Sequence, residues 1–343
     1  MGFIKAFKLA DISQLSQTIS KPKGVLWLLT ALLFELSLLL FLYSKNLWWL
    51  FGFVSITVSQ YLIFSSWQDA RFGTVVNLIF FLVCLIGFAD WNFERKVKEE
   101  LTGISLNIKQ NEAVPYKQKT LTQLPEVIQM WLSQSKSADH TEAHIVHLWQ
   151  TGRMKLKPDG DWMNVRSQQW FTIHEPGFIW SAEVGEGSLL RFAGLDKYVN
   201  GKGSMLIKLY SLFPIVEEEG KNIDQGVMVR YLSEIIWFPS AALNNYISWK
   251  EIDPLRIEAT FTYNELSVSG IFTFNGKGMP ASFQAQRYYD KTGSPETWFI
   301  SIDENSFRKF NTYFIPTKAS VTWKLQGGDF KWYELEIMDL VEE

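Results

Sequence analysis

The sequence predicts a two-part protein: an N-terminal α-helical transmembrane region, then an α+β domain in which a curved antiparallel sheet, an open half barrel, wraps around a buried helix. Three observations carry this. Of 33 Lys and Arg and 36 Asp and Glu, only ten fall within the first 90 of 343 residues, so the mean hydropathy of −0.02 averages two parts that suit different solvents. Three long apolar runs occupy that nearly uncharged quarter. From Ala143 onward, hydrophobicity alternates with a period of two, as strands with one covered face require. One segment, Val227–Leu243, breaks the alternation and is apolar on nearly every face, as a buried helix is.

The membrane region covers residues 1–92, with helices expected at about 24–43, 47–64 and 73–89. The first run, GVLWLLTALLFELSLLLFLY, is long enough at about 1.5 Å per residue to cross a hydrocarbon layer of about 30 Å. The links between runs are short, and unpaired amides are costly in lipid, so three helices joined by tight polar turns are the economical solution. A cleaved signal peptide would present one shorter apolar core, which makes the anchorage permanent and the protein an integral membrane protein. Met1-Gly2 lacks the Ser or Thr at position 6 that myristoylation needs, since Ala6 stands there. Trp48, Trp49, Trp67 and Trp91 fall at the ends of the runs, where amphipathic rings favour the interface. Lys5, Lys8, Lys21, Lys23 and Arg71 gather on one side and Lys45, Arg95, Lys96 and Lys98 on the other, a balance that leaves the orientation open. Glu35 is the ionisable group inside the first run. It marks an ion pathway, or it is a protonated carboxyl hydrogen-bonded to Gln60, Thr57 or Asn77 of a neighbouring helix.

Residues 93–118 read as a helical exit and linker, and residues 119–343 as the soluble β-rich domain. An amphipathic helix over Leu121–Ser133 opens it, with Pro125 suited to a first turn. Strands are expected around His144–Met154, Trp170–Val184, Leu189–Phe192 and Met205–Pro214. Later, Ala259–Tyr263 and Leu266–Phe274 flank an Asn264-Glu265 turn, and Asn275-Gly276-Lys277-Gly278 turns into a strand ending at Arg287-Tyr288-Tyr289. Ala319–Leu325 and Phe330–Ile337 flank Gly327-Gly328-Asp329. Turns this short join antiparallel strands. Within the buried helix, Arg230 and Glu234 sit four residues apart on one face. They hold a ligand headgroup, or they neutralise one another inside the curve, and Asp329 or Glu334 is available to neutralise Arg287.

The composition excludes several kinds of chemistry. A net charge of −3 gives nucleic acid no basic face to bind. The single cysteine, Cys84, excludes disulfide frameworks and multi-Cys metal sites. His140, Glu142 and His144 lack the Glu that comes directly after the first His of a metalloprotease helix. There is no Gly-rich phosphate loop and no Gly-x-Ser-x-Gly elbow, so no cofactor, metal or catalytic motif is expected. The tryptophans of the soluble half, among them Trp180, Trp237, Trp298 and Trp323, either line a space or fill it.

The strings ISKPKGVLWLLTALLF, WQDARFGTVVN, VRYLSEIIWFPSAALNNYISW, FQAQRYYD and IPTKASVTWKLQGGDFKWYELEI resemble an uncharacterised bacterial membrane-protein family, a domain of unknown function, over nearly the whole chain. The resemblance implies no activity. It implies residence in a bacterial cytoplasmic membrane and, because members often carry an additional helix ahead of a Gly-Phe-x-Lys-Ala-Phe-like segment, a fourth helix before Met1–Phe7. It makes Arg230, Glu234, Trp237, Pro239, Arg287, Tyr288 and Trp323 the candidate ligand or structural positions. Three functional readings are open. The first is a membrane-anchored module that binds a lipid or other apolar ligand in its open barrel. The second is a membrane-bound enzyme with a buried polar site near Arg230, Glu234 and Arg287. The third is a partner-interaction module that uses a free sheet edge.

Overall fold

The structure, a computed structural model, describes residues 1–12, 15–44, 46–111, 118–136, 144–310 and 313–342. The chain forms two compact units, Met1–Lys96 with Tyr210–Leu212, and Val97–Leu209 with Phe213–Glu343.

The first unit is helical: α1 (Gly2–Ala6), α2 (Lys21–Tyr43), α3 (Trp48–Ser65), α4 (Trp67–Ala70) and the start of α5 (Gly73–Asn111). α2, α3 and the Gly73–Leu106 part of α5 are long and apolar enough to cross a membrane. Two glycines set their packing. A Cβ on Gly52 would meet the Cys84 sulfur at 2.4 Å, and one on Gly87 would meet the Trp48 ring at 2.2 Å. Trp48 and Trp49 are consequently buried beside Cys84 and Trp91, while Trp67 is exposed. Gly87 leaves room in the bundle for the Trp48 ring, and Trp49 packs against Phe53, Phe88 and Trp91.

The polar groups of α3 and α5 satisfy one another. Ser59 lies 3.1 Å from the Asn77 side-chain oxygen, Asn77 donates to Gln60 at 3.0 Å, and Gln60 donates to Thr74 at 3.1 Å. Glu35 is absent from this network. It is exposed on α2, with no hydrogen bond or ion pair among the described residues, which corrects the expectation that Gln60, Thr57 or Asn77 would receive it. The reason is angular: Ser37 turns inward and donates to the Trp48 carbonyl at 2.8 Å, and a residue two positions earlier lies about 200° around the helix.

In the second unit, a 3-10 turn (Leu121–Gln123) and α6 (Glu126–Gln134) precede the strands. The strands are β1 (Ile145–Met154), β2 (Met163–Thr172), β3 (Gly177–Val184), β4 (Phe192–Val199), β5 (Lys202–Leu209) and β6 (Phe213–Glu219). Then come α7 (Lys221–Glu234), 3-10 turns at Ile235–Trp237 and Pro239–Leu243, and β7 (Ile247–Asp253), β8 (Arg256–Tyr263), β9 (Leu266–Phe274), β10 (Pro280–Tyr289) and β11 (Ser294–Ile302). β12 (Phe307–Phe310) and β13 (Tyr313–Pro316) pair as a separate hairpin before β14 (Lys318–Leu325) and β15 (Gly328–Glu342).

Thirteen strands form one antiparallel sheet in the order β6-β5-β4-β3-β2-β1-β15-β14-β11-β10-β9-β8-β7, which is not closed into a barrel. The first and last strands meet mid-sheet, so the chain must travel from one edge, β6, to the other, β7. α7 makes that journey across the concave face and packs on β4, β5 and β6 as well as β8, β9 and β10. Both edges carry charge, Glu217–Glu219 on β6 and Lys250 and Glu251 on β7, which discourages strand addition.

Two expectations of detail change. The buried helix begins at Lys221 and is α-helical only to Glu234. Pro239 has no amide hydrogen to donate and pushes Phe238 out of the helical region (φ −138°, ψ 67°), so tighter turns finish the segment. The Trp170–Val184 run is a hairpin, with Ile173–Pro176 turning between β2 and β3, and the strand expected over Leu189–Phe192 instead begins at Phe192 as β4 and runs to Val199. The Asn264-Glu265 turn stands as expected, both residues having positive φ.

The concave face is packed with rings. Phe171 stacks on Phe238 at 4.2 Å, and Tyr231 lies 5.3 Å from Phe238 and 5.4 Å from Phe261, all four fully buried. The Tyr231 hydroxyl lies 2.9 Å from the Thr172 carbonyl oxygen, to which it donates. Here the aromatic residues fill the curve rather than surround a void.

Candidate functional site

Beside the ring-filled core, the same face carries a polar layer. Inward positions of β1 and β2 place Gln150, Ser167 and Gln169 there, all buried. Ser167 donates to Gln150 at 3.1 Å, Gln150 to Gln169 at 3.1 Å, and Gln169 to Glu234 at 2.7 Å. One turn before Glu234 on α7, Arg230 donates through Nε to Glu234 at 2.9 Å and through Nη1 to Asp196 of β4 at 2.9 Å. Its guanidinium also lies over the Phe178 and Trp180 rings, at 4.9 and 4.8 Å. Burial raises the pKa of both carboxyls against the pull of Arg230; burial also opposes the charge on Arg230, but Glu234 and Asp196 outweigh it and raise its pKa. A charge pair satisfied this fully is a structural element of the domain.

Arg287 is the contrasting case. It is half-buried on β10, with its guanidinium 5.1 Å from the Trp298 ring on β11 and 5.9 Å from the Trp323 ring on β14. α7 passes close to it because residue 226 is Gly, where a Cβ would lie 3.0 Å from Arg287 Nε. Among the described residues Arg287 makes no hydrogen bond and no ion pair. Asp329 pairs with Lys324, and Glu334 with Arg153 and Lys331, so neither neutralises it. Burial, then Arg230, push its pKa down to about 10, while Asp196, Glu234 and Asp290 pull the other way. The four charges sum to zero, but Arg230 takes both carboxylates. Trp298, 3% exposed, likewise has an indole N–H with no acceptor. A buried donor left without an acceptor costs about 1–3 kcal/mol. Donor groups without protein acceptors on two neighbouring strands fit a group that only accepts, such as a phosphate or carboxylate.

Of the sequence candidates, Arg287 and Trp323 come together here, with the ring of the half-buried Tyr289 tilted against Trp323 at 4.6 Å. Tyr288, the next residue along β10, points to the opposite face of the sheet. Trp237 is buried in the first 3-10 turn, where its N–H donates to the Pro316 carbonyl at 3.1 Å, and Pro239 is buried at the start of the second. The sequence does not single out Asp196 or Gln169, and names Trp298 only among the tryptophans that line a space or fill it. The available signal was a polar residue at an inward position of a strand, and for Trp298 its place opposite Trp323 in the register.

His140 and Glu142 lie outside the described residues. Among the described ones, no group of three or more His, Cys, Asp or Glu is arranged to hold a metal. His144 and His174 rings lie 4.9 Å apart. His147 is buried between Trp149 (3.7 Å) and Trp170 (4.3 Å), and burial pushes its pKa down to about 4. The unfolded chain therefore takes up this proton first. Stability present above pH about 6.5 should fall by roughly 2–3 kcal/mol as pH drops toward 4. Denaturant midpoints measured between pH 7 and 4 should show this step, and His147→Phe should flatten it.

A cavity of about 760 Å³ lies on the opposite, convex face. Its charged walls pair internally, Arg153 with Glu334, Arg166 with Glu186 and Lys318 with Glu336.

Distant likenesses exist among solved structures. A domain from Vibrio parahaemolyticus named for outer membrane lipoprotein sorting shares 11% identity at a TM-score of 0.37, covering 65% of this chain and 94% of that one. A DUF1329 family protein from Desulfovibrio piger shares 7% at 0.34, covering 62% and 91%, and LprF from Mycobacterium bovis 13% at 0.21, covering 65% and 95%. Likenesses this remote say nothing about the ligand of this chain. No curated protein matches it. The model of the family of unknown function DUF6544 matches residues 114–335, well over half of the chain, and the protein belongs to that family.

Proposed function

We propose that the protein is a membrane-anchored binding module whose β domain holds the anionic headgroup of an amphiphile, of the phospholipid kind, at Arg287. The observation that carries this reading is the Arg287 guanidinium, half-buried between Trp298 and Trp323 with no carboxylate or carbonyl partner among the described residues. An anion would accept from the guanidinium and the Trp298 N–H together, and the Trp323 and Tyr289 rings offer apolar surface to the hydrocarbon attached to the headgroup. Three helices able to span a bilayer would keep the module where such ligands reside. The ligand is placed beside the ring-packed centre, because Phe171, Phe238, Tyr231 and Phe261 occupy the space a deeply enclosed apolar guest would need. Arg230 and Glu234, the residues an enzyme would use, spend their hydrogen bonds on each other, Asp196 and Gln169.

The test is to purify the full chain from membranes in neutral detergent, extract it with organic solvent and identify what was bound by mass spectrometry. Wild type should carry an anionic amphiphile in near-stoichiometric amount, and Arg287→Met, still folded, should lose it. A wild-type chain that carries none, or a variant that carries as much, defeats the reading.

A further inference from the structure

Glu35 has no role in holding the helices of the first unit together. It lies about 5 Å along the axis from the midpoint of α2, is exposed, and has no hydrogen bond or ion pair among the described residues. A carboxyl at that depth of a bilayer costs several kcal/mol unless a partner receives it, and such groups are turned toward other helices or water-filled space. The described helices do not receive it: α2 gives Ser37 to α3, and Gln60, Asn77 and Thr74 are already bonded to one another.

Stepping from Glu35 by alternating three and four residues gives Val25, Leu28, Leu32, Glu35, Leu39 and Leu42. All six are exposed, the leucines between 39% and 61%. This is the spacing of the seam between two left-handed supercoiled helices, with one polar residue near its centre. We propose that the seam docks a second copy of this chain, α2 against α2, with the two Glu35 carboxyls hydrogen-bonded across a twofold axis. The occupant is set by self-complementarity. A twofold contact presents the same patch twice, and a carboxylic acid is donor and acceptor in one group, so it pairs with its own copy. Two copies inserted in the same direction also place both Glu35 residues at one depth, which fixes the register of the otherwise uniform leucine seam. The inference rests on the reading that α2, α3 and α5 span a membrane.

The experiment uses the full chain in native membranes, where the one natural cysteine, Cys84, is buried and silent. Leu32→Cys and Leu39→Cys should form disulfide-linked dimers on mild oxidation, whereas Phe41→Cys, exposed on another face of α2, should not. In the cross-linking background, Glu35→Gln keeps a donor and an acceptor and should keep the dimer, and Glu35→Leu should weaken association about ten-fold. Equal cross-linking at all three positions, none at any, a cross-linked product of the wrong mass, or indifference to Glu35→Leu overturns the proposal. Alkaline carbonate extraction separates the two layers of the claim. A chain released from the membrane defeats the spanning reading and the dimer with it, and a chain that stays embedded but monomeric defeats the dimer alone.

Discussion

Replacing Arg230 with methionine is expected to lower stability by about 3–5 kcal/mol, the cost of stranding buried carboxylates that had one shared partner. Glu234 and Asp196 each hold a 2.9 Å contact to that guanidinium, and Gln169 supports Glu234 from the other side at 2.7 Å. With Arg230 gone, two acids whose pKa values burial already raises would face α7 and β4 with Arg287 as the remaining nearby cation. Urea denaturation tracked by tryptophan fluorescence reads the loss. The triple variant Arg230→Met, Asp196→Asn, Glu234→Gln should recover most of it, because neutral groups of similar shape leave no buried carboxylate without its cation. Loss in the single variant with recovery in the triple marks the cluster as structural.

Arg287→Met should behave in the opposite way. In the ligand-free chain it removes a half-buried charge that has no ion-pair partner among the described residues, so the variant should melt no lower than wild type. The lost attraction to the Trp298 and Trp323 rings, about 1 kcal/mol, is offset by relief of the desolvated charge. Affinity for an anionic amphiphile should fall by about ten-fold to a hundred-fold, the worth of charge-assisted hydrogen bonds to a guanidinium. Arg287→Lys should fall between, since an ammonium keeps the charge but not the fork. Calorimetric melting of the delipidated chain and a binding titration on the same samples separate the two effects.

The long apolar helices, the antiparallel meanders and the helix inside the curve are legible because each imposes its own pattern on the chain. Leu266–Phe274 alternates, Gly24–Tyr43 is apolar but for Thr30, Glu35 and Ser37, and Val227–Leu243 is oily on nearly every side. The meeting of β1 with β15 was not legible. It joins Val146 to Glu342, a pairing no local pattern encodes, and it decides that α7 must cross from one edge of the sheet to the other. The partition of charges was hidden for the same reason. Arg230 and Glu234 announce themselves by spacing, but Asp196 and Gln169 reach them only through the fold, and their arrival turns a candidate headgroup site into a closed network. Arg287 gained its interest by the same accounting, since Asp329 and Glu334, in sequence equally able to neutralise it, found other lysines and arginines. Glu35 was visible as an anomaly. Its direction was not, because that depends on which face of α2 carries Ser37 to α3.

The central claim is that Arg287 with the Trp298 N–H receives an anionic headgroup. The most direct measurement is a melting titration of the delipidated full chain in neutral detergent, with phosphatidylglycerol and phosphatidylcholine of equal chain length as probes. Phosphatidylglycerol should raise the Tm of wild type in a saturable way and leave Arg287→Met unmoved, and phosphatidylcholine should shift neither. An equal rise in wild type and Arg287→Met, or none in wild type, would contradict it.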